Sequence, residues 1–276
     1  MRWLYLGIAL LLGACSTGGV TEREYDLTAR LPTTFTGTLP CADCPGIDYH
    51  LNLFQDGVFY LRMRYQDRPD GQFDDIGRYL LSADGSLLSL QGGREAPLRF
   101  TVENPDSLRL LGLDGAAIVS ELNYSLQRQA ALLPIAPRLL MRGMYRYMAD
   151  AGRFTECITG RDMPVATEAD NAAMEAAYSQ ARSAPGAPLL VSVEGQIAPR
   201  MPMEGTGPID TLVPERFISV FPGETCAGRM EDTTGYSPVE AKPVSVTGQA
   251  RRVPDTPGPL SSTRIHSAPK NGEASA

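Results

Sequence analysis

Short runs of alternating apolar and polar residues follow one another through residues 35–129. In the run Val58–Tyr65, the side chains of Phe59, Leu61 and Met63 fall on one face of an extended strand. Asp-Gly pairs and related turn residues separate the runs, and this combination is the strongest short-range signal for a β-hairpin. The pattern predicts strands at 35–39, 48–54, 58–65, 75–81, 86–91, 97–103, 107–111 and 121–127.

Eight short strands joined mostly by tight turns predict an up-and-down meander, in which each strand pairs with the next. Closing the meander into a small barrel removes the edge strands, whose unpaired backbone groups otherwise invite aggregation. An open sheet or a sandwich is the alternative arrangement. The expected fold class is therefore mainly β, with residues 31–129 forming a first domain.

A second pattern follows residues 130–138, whose two prolines predict a short, stiff linker. Thr167 and Asp170 resemble a capping box, and the predicted helix after them carries an apolar stripe typical of packing on a sheet. About five strands and one helix in residues 139–228 favour a small Greek-key barrel of OB type, with other α+β layouts as the alternative. The stripe comprises Met174, Ala177, Tyr178 and Ala181, and the strands are predicted at 144–148, 154–157, 162–165, 189–197 and 212–221.

The chain begins with one Arg and an apolar run, Trp3–Ala14, that is too short to span a bilayer and is typical of a secretory signal peptide. The segment Leu12–Cys15 resembles the lipobox of bacterial lipoproteins. That resemblance implies removal of residues 1–14 and acylation of Cys15, whereas an ordinary cleaved signal with an incidental Cys is the alternative. Residues 15–30 are mostly polar and predict a tether between the anchor and the first domain.

The amino-acid composition and net charge argue against some classes of function. The 276 residues carry 25 Lys+Arg and 32 Asp+Glu, for a net charge of −7, and 43% of them are hydrophobic. This is the balance of a globular protein, and the acidic surplus argues against a nucleic-acid binder, which needs a clustered basic face. Residues 229–276 are rich in Pro, Gly and Ser and predict a disordered tail.

Motifs typical of enzymes are missing from the sequence, which contains no GxSxG, no HExxH and no P-loop. His50 and His266 are the only two histidines, too few to favour a multi-His metal site or a His-dependent triad. We therefore expect a protein that is not an enzyme.

The segment Cys41–Cys44 has the spacing CxxC, for which three interpretations compete. Redox catalysis of the thioredoxin kind needs the first Cys at a helix N-terminus, and the prolines on either side argue against one. Cu(I) suits thiolate and thioether ligands, so the two thiolates with a Met or His50 form a candidate copper site. A disulfide across the four-residue loop is the simplest interpretation under oxidising conditions.

Cys157 and Cys226 lie near the two ends of the second domain. The simplest interpretation is a disulfide that closes a loop of about 70 residues and adds several kcal/mol of stability in the loop-entropy model. Pairing of either one with Cys41 or Cys44 is the alternative, and it would cross the linker. Lipidation of Cys15 would account for the odd number of five cysteines.

Several stretches together resemble the NlpE-type envelope lipoproteins, a family associated with copper homeostasis. They are Phe35–Ile47, Gly143–Gly160, the predicted helix with Pro185–Ile197, and Leu212–Cys226. The resemblance implies a lipocalin-like barrel followed by an OB-fold domain. It also implies an outer-membrane lipoprotein that acts in copper tolerance and that signals envelope stress to the Cpx histidine kinase of the inner membrane.

Site residues follow from the same resemblance. It implies that Cys15 is the lipid anchor, that Cys41 and Cys44 are the family CxxC, with copper as a candidate ligand, and that Cys157–Cys226 is a disulfide used as a redox reporter. Ser16, where inner-membrane lipoproteins of enterobacteria carry Asp, implies an outer-membrane address facing the periplasm. Two alternative functions remain, a lipid-anchored barrel that holds a small apolar ligand and a periplasmic thiol redox protein.

Overall fold

The first domain is a closed barrel of eight antiparallel strands in a computed structural model that describes residues 26–94, 96–202 and 205–229. Each strand pairs with the next in chain order, and the first strand pairs with the last, so that Phe35 lies opposite Arg128. The predicted up-and-down barrel is thereby confirmed. Its strands are β1 (Thr33–Leu39), β2 (Ile47–Leu53), β3 (Val58–Tyr65), β4 (Gln72–Leu81), β5 (Leu87–Gly92), β6 (Leu98–Asn104), β7 (Ser107–Leu110) and β8 (Ser125–Arg128).

The barrel interior is filled by the chain's own side chains. Phe59, Leu61 and Met63 all point into it and are at most 1% exposed, as the alternation in β3 predicts. An eight-stranded barrel is just wide enough for side chains to fill, so this interior argues against the alternative of a bound apolar ligand. The interior cluster comprises Leu27, Phe35, Leu39, Tyr49, Leu51, Leu53, Phe59, Leu61, Met63, Leu88, Leu90, Phe100, Val102, Leu108 and Leu126.

The predicted tether, residues 15–30, contains a short ordered segment at its end. Leu27–Arg30 forms a 3₁₀ helix, and the Asp26 carboxylate caps it by accepting hydrogen bonds from two backbone amides. Leu27 is 1% exposed and packs into the interior cluster of the barrel. One apolar residue in a polar segment thus orders the chain, because its burial offsets part of the conformational entropy lost.

The second domain is a five-stranded sheet in the order β11-β10-β9-β12-β13, with one helix. A parallel bridge between Val165 and Leu212 brings the end of β11 to β13, as in a barrel of OB type. The predicted fold class is confirmed here too. The elements are β9 (Arg138–Met148), β10 (Ala151–Glu156), β11 (Asp162–Pro164), α1 (Asn171–Ala181), β12 (Leu189–Arg200), β13 (Ile209–Phe221), β14 (Glu224–Thr225) and β15 (Gly228–Arg229).

Helix α1 has the predicted apolar stripe but not the predicted capping box. Met174 and Tyr178 are fully buried beneath it. Asp170 is the N-cap residue, yet its side chain caps no helix amide. Its Oδ2 instead accepts a hydrogen bond from the backbone amide of Phe217 on β13 at 2.9 Å, and Thr167 is exposed. The carboxylate therefore ties the helix to the sheet, which local sequence spacing could not indicate.

The linker, residues 130–138, is held against the barrel by hydrogen bonds. The Leu133 carbonyl oxygen accepts from His50 Nε2 at 2.9 Å and from Asn52 Nδ2 at 3.0 Å. Arg62 donates to the carbonyl oxygen of Ala136 at 2.9 Å. The linker is therefore fixed by backbone acceptors as well as stiffened by its prolines.

Several predictions concern residues outside the described part of the chain. They include the signal peptide 1–14, Cys15 and all of the disordered tail 229–276 except residue 229. Among the described residues, no helix is long and apolar enough to cross a membrane.

The burial of Leu27 can be tested by mutation. We expect Leu27→Ala to lower the free energy of unfolding of the barrel by about 2–5 kcal/mol, because it removes a buried aliphatic side chain and leaves a cavity. Leu122→Ala is the matched control, since Leu122 is 59% exposed. Urea unfolding followed by circular dichroism measures both, and equal effects would contradict burial of Leu27.

Candidate functional site

The CxxC segment lies in the loop between β1 and β2, at one end of the barrel. Cys41 and Cys44 are joined by a disulfide of 2.08 Å. Both are half-buried, whereas Asp43 between them is exposed and forms an ion pair with Arg68 at 2.5 Å. The ligand atoms of Cys41, Asp43 and Cys44 lie within 4.8 Å of one another. The loop therefore gathers two sulfurs and a carboxylate at an accessible point.

The backbone around this disulfide forms a tight turn without a helix. Gly46 allows a close approach there, because a Cβ at this position would lie 2.5 Å from Thr38 Cγ2 and would displace that side chain. The Gly46 carbonyl oxygen accepts a hydrogen bond from the Gln66 amide at 3.0 Å. Since no helix begins in this loop, Cys41 lacks the helix N-terminus that lowers the thiol pKa in thioredoxin-like catalysts.

His50 does not complete a metal site with these cysteines. It lies three residues along β2 from Ile47, where the loop ends, which is about 10 Å at the usual strand rise. Its Nε2 donates to the Leu133 carbonyl oxygen, and burial holds the pKa of His50 below its usual value. The described residues that group as a candidate metal site are Cys41, Asp43 and Cys44, without His50. Two thiolates alone, once the disulfide is reduced, still fit Cu(I), which favours soft sulfur ligands.

A second disulfide of 2.04 Å joins Cys157, just after β10, to Cys226, just after β14. Cys157 is half-buried and Cys226 is exposed. The Cys157 amide also donates to the Arg142 carbonyl oxygen on β9 at 2.9 Å. Beside the disulfide lies a cavity of about 330 Å³ lined mainly by apolar residues, among them Met141 and Leu190.

Residues 157–161, which we name the docking turn, follow directly from this disulfide. Glu156 is 1% exposed, and its carboxylate accepts hydrogen bonds from the amides of Ile158 and Thr159 at 3.1 and 2.7 Å. It also accepts from the Thr159 hydroxyl at 2.7 Å. A buried carboxylate that is satisfied by three donors within the turn fixes the shape of the turn.

The docking turn contacts the barrel through its backbone and through two side chains. Arg78 on β4 donates to the Thr159 carbonyl oxygen at 2.7 Å. Ile158 lies next to Gly93 of the barrel, since its Cδ1 would be 3.8 Å from a Cβ placed at position 93. Arg161 lies at the end of the turn. Its side chain is only 18% exposed and lies between the two domains.

The Arg161 guanidinium bonds to groups of both domains. It donates to both carboxylate oxygens of Asp56 at 2.8 and 3.0 Å, to the Tyr60 hydroxyl at 2.7 Å and to Asp210 at 3.1 Å. Tyr60 in turn donates to Asp210 at 2.7 Å. The guanidinium also lies 4.4 Å from the centre of the Phe54 ring, a distance suited to a cation–π contact.

Burial and charge shift the pKa values in this cluster. Burial raises the pKa of the Tyr60 hydroxyl, and the negative charge of Asp210 adds to the effect. Burial also raises the pKa of Asp56, but the hydrogen bonds and charge of Arg161 outweigh it and leave this pKa below its usual value. At neutral pH the Tyr60 phenol is therefore neutral and the Asp56 carboxylate is ionised beside the Arg161 guanidinium.

An apolar contact lies beneath this polar cluster. Val58, Tyr60 and Ile76 point away from the barrel interior, yet each is at most 1% exposed, because the second domain covers them. They belong to the same apolar cluster as Met141 and Tyr145 of the second domain. The sequence patterns did not predict this interface. The one available signal was the unbroken apolar run Val58–Leu61, in which both faces of the strand are apolar.

Comparisons with known proteins agree with this two-domain arrangement. A family model described as the NlpE N-terminal domain matches residues 35–121, and one described as the NlpE C-terminal OB domain matches residues 136–227. Lipoprotein NlpE of Escherichia coli (strain K12) is 34% identical over 200 residues, which cover 71% of this chain and 81% of the relative.

Solved structures of similar proteins also exist. The crystal structure of the Cpx pathway activator NlpE from Escherichia coli is 32% identical and covers 72% of this chain and all of that one. Its TM-score is 0.32.

The two disulfides are expected to differ in their effect on stability. In the loop-entropy model, Cys157→Ser/Cys226→Ser should cost about 4 kcal/mol and Cys41→Ser/Cys44→Ser about 2 kcal/mol, because the first pair closes a much longer loop. Native-state hydrogen exchange measures the local loss, at the amides of β9 and β12 for the first pair and of β1 and β2 for the second. An equal loss in the two double variants would contradict a stabilising role specific to Cys157–Cys226.

Proposed function

Since this chain belongs to the NlpE family, we propose that it is a lipid-anchored, non-enzymatic protein of the cell envelope that senses stress and signals it to the Cpx pathway. Its relative in Escherichia coli is named a lipoprotein and a Cpx pathway activator. Both domains of the family are present in this chain in the same order. The signalling partner of this protein would be the Cpx sensor kinase of the inner membrane.

Anchoring rests on Cys15, which lies outside the described residues. The lipobox-like segment Leu12–Cys15 supports its acylation, with palmitate as a typical acyl chain. A single acyl chain binds a membrane only marginally, whereas the several chains of a lipoprotein anchor it stably. Ser16 supports an outer-membrane address on the periplasmic side.

The observation that carries the sensing role is the position of the Cys157–Cys226 disulfide. It closes a span of 69 residues, has one exposed cysteine and begins the turn that contacts the barrel. Redox conditions in the envelope decide whether such a bond forms. The disulfide is therefore suited to report on oxidative folding.

Signalling and anchoring are tested together by two variants in a host with a Cpx transcriptional reporter. We expect Cys15→Ala to leave the protein soluble and unacylated. Ser16→Asp should keep it in the inner membrane, near the kinase, and raise reporter output above that of the wild type. Membrane fractionation and mass measurement check the anchor. Membrane retention of Cys15→Ala would refute the anchor, and unchanged output from a correctly retained Ser16→Asp would refute signalling.

Copper binding is a second candidate function, favoured by the grouping of Cys41, Asp43 and Cys44. The loop is accessible and its two sulfurs suit Cu(I) once reduced. The alternative of a thiol redox catalyst has less support, since no helix starts at Cys41. The alternative of an apolar ligand has less support as well, since side chains fill the barrel.

Titration of Cu(I) into the reduced chain tests the copper site. We expect Cys41→Ser/Cys44→Ser to abolish the tight site, because it removes both thiolates. Cys157→Ser/Cys226→Ser is the matched control, since it removes the same number of thiols and should leave the affinity unchanged. Competition with a chromogenic Cu(I) chelator gives the affinities. Equal affinity in the wild type and Cys41→Ser/Cys44→Ser would end the proposal.

A further inference from the structure

We propose that the Cys157–Cys226 disulfide controls the docking of the two domains, with the docking turn, residues 157–161, as the element that transmits its state to the barrel. The inference rests on the proposed role of this disulfide as a reporter and names the part of the molecule that responds. Loss of the disulfide would release the second domain from the outer face of β3 and β4.

The first step is that the Cys157–Cys226 disulfide is directly connected to the docking turn. Cys157 is both the bonded residue and the first residue of the docking turn, and its amide is held by Arg142 on β9. Glu156 then fixes the next two residues by hydrogen bonds. A displacement of Cys157 therefore moves the residues that contact the barrel.

The second step is the directional nature of those contacts. Thr159 accepts from Arg78, and Arg161 binds Asp56 through two parallel hydrogen bonds and Tyr60 through a third. Charge-assisted hydrogen bonds of this kind weaken steeply when their distances and angles change. A small shift of the turn would therefore cost several contacts at once.

The third step is what the contacts keep covered. Val58 and Ile76 are fully buried although they face outward from the barrel. They pack in one apolar cluster with Met141, Val191 and Val193 of the second domain. When the turn is released, these barrel residues become accessible while the barrel interior stays closed.

The redox step itself is thiol–disulfide exchange with a dithiol reductant. A thiolate of the reductant attacks Cys226 or Cys157, the S–S bond breaks, and the second thiol of the reductant resolves the mixed disulfide. The reductant ends as a disulfide, and Cys157 and Cys226 end as two thiols. Exposure of Cys226 gives the reductant access.

Two matched probes distinguish undocking from unfolding. Val58→Cys places a thiol beneath the second domain, and Val102→Cys places one inside the barrel, where Val102 is 2% exposed. Each is made in the full chain with Cys15→Ser, so that no other free thiol remains, with either the native disulfide or Cys157→Ser/Cys226→Ser. Labelling with a maleimide is followed by mass, after circular dichroism has verified folding.

We expect the thiol of Val58→Cys to react at least about tenfold faster when the Cys157–Cys226 pair is replaced, because local opening uncovers it. Val102→Cys should react at the same slow rate in both backgrounds. An unchanged rate for Val58→Cys would overturn the proposal. Equal acceleration of both probes would also overturn it, because it would show loss of the barrel instead of undocking.

Arg161→Ala tests the turn with the disulfide intact, and Arg153→Ala is the control, since Arg153 pairs with Asp162 within the second domain. We expect faster labelling of Val58→Cys only in the Arg161 variant, and no difference between the two would overturn the role of the turn. Labelling needs no partner protein. A silent Cpx reporter would therefore refute the proposed signalling without altering this result.

Discussion

The half-buried guanidinium of Arg161 is the constraint on which the arrangement of the two domains depends. A charge that is partly removed from water is costly unless it is paired. Asp56 of the barrel and Asp210 of the second domain provide the pairing. The apolar faces alone could slide over one another, whereas the fixed directions of these hydrogen bonds allow a single register.

The same pairing makes the interface depend on pH. Arg161 holds the pKa of Asp56 below its usual value against the opposing effect of burial. A depressed carboxyl pKa adds stability above the pKa of the unfolded chain, and this contribution disappears as the pH falls through the lowered, folded value. The contribution of Asp56 is therefore present at neutral pH and is lost as the pH falls below the usual carboxyl range. A redox change at Cys157–Cys226 at neutral pH therefore acts while the pairing of Asp56 with Arg161 is in place.

The sequence predicted what local patterns determine and missed what distant contacts determine. Alternation in Val58–Tyr65 identified the side chains inside the barrel, because a strand in a filled barrel must place every second residue inward. Leu27 has no periodic neighbours, so its burial in the barrel left no signal. Asp170 has the spacing of a capping residue, yet it bonds to Phe217, which is 47 residues away. Arg161 follows a glycine in a turn, where an arginine is normally solvated.

The two disulfides divide the candidate site into parts that differ in mechanical role. Cys41–Cys44 spans a sequence separation of 3 in a turn that Gly46 and its backbone hydrogen bond to Gln66 already shape. That bond can open without releasing either barrel strand, since β1 and β2 stay paired from Leu39 and Ile47 onward. Cys157–Cys226 instead joins distant parts of the chain and begins the turn that holds the domains together. Chemistry at the first pair can therefore stay local, whereas a change at the second pair acts on the turn that contacts the barrel.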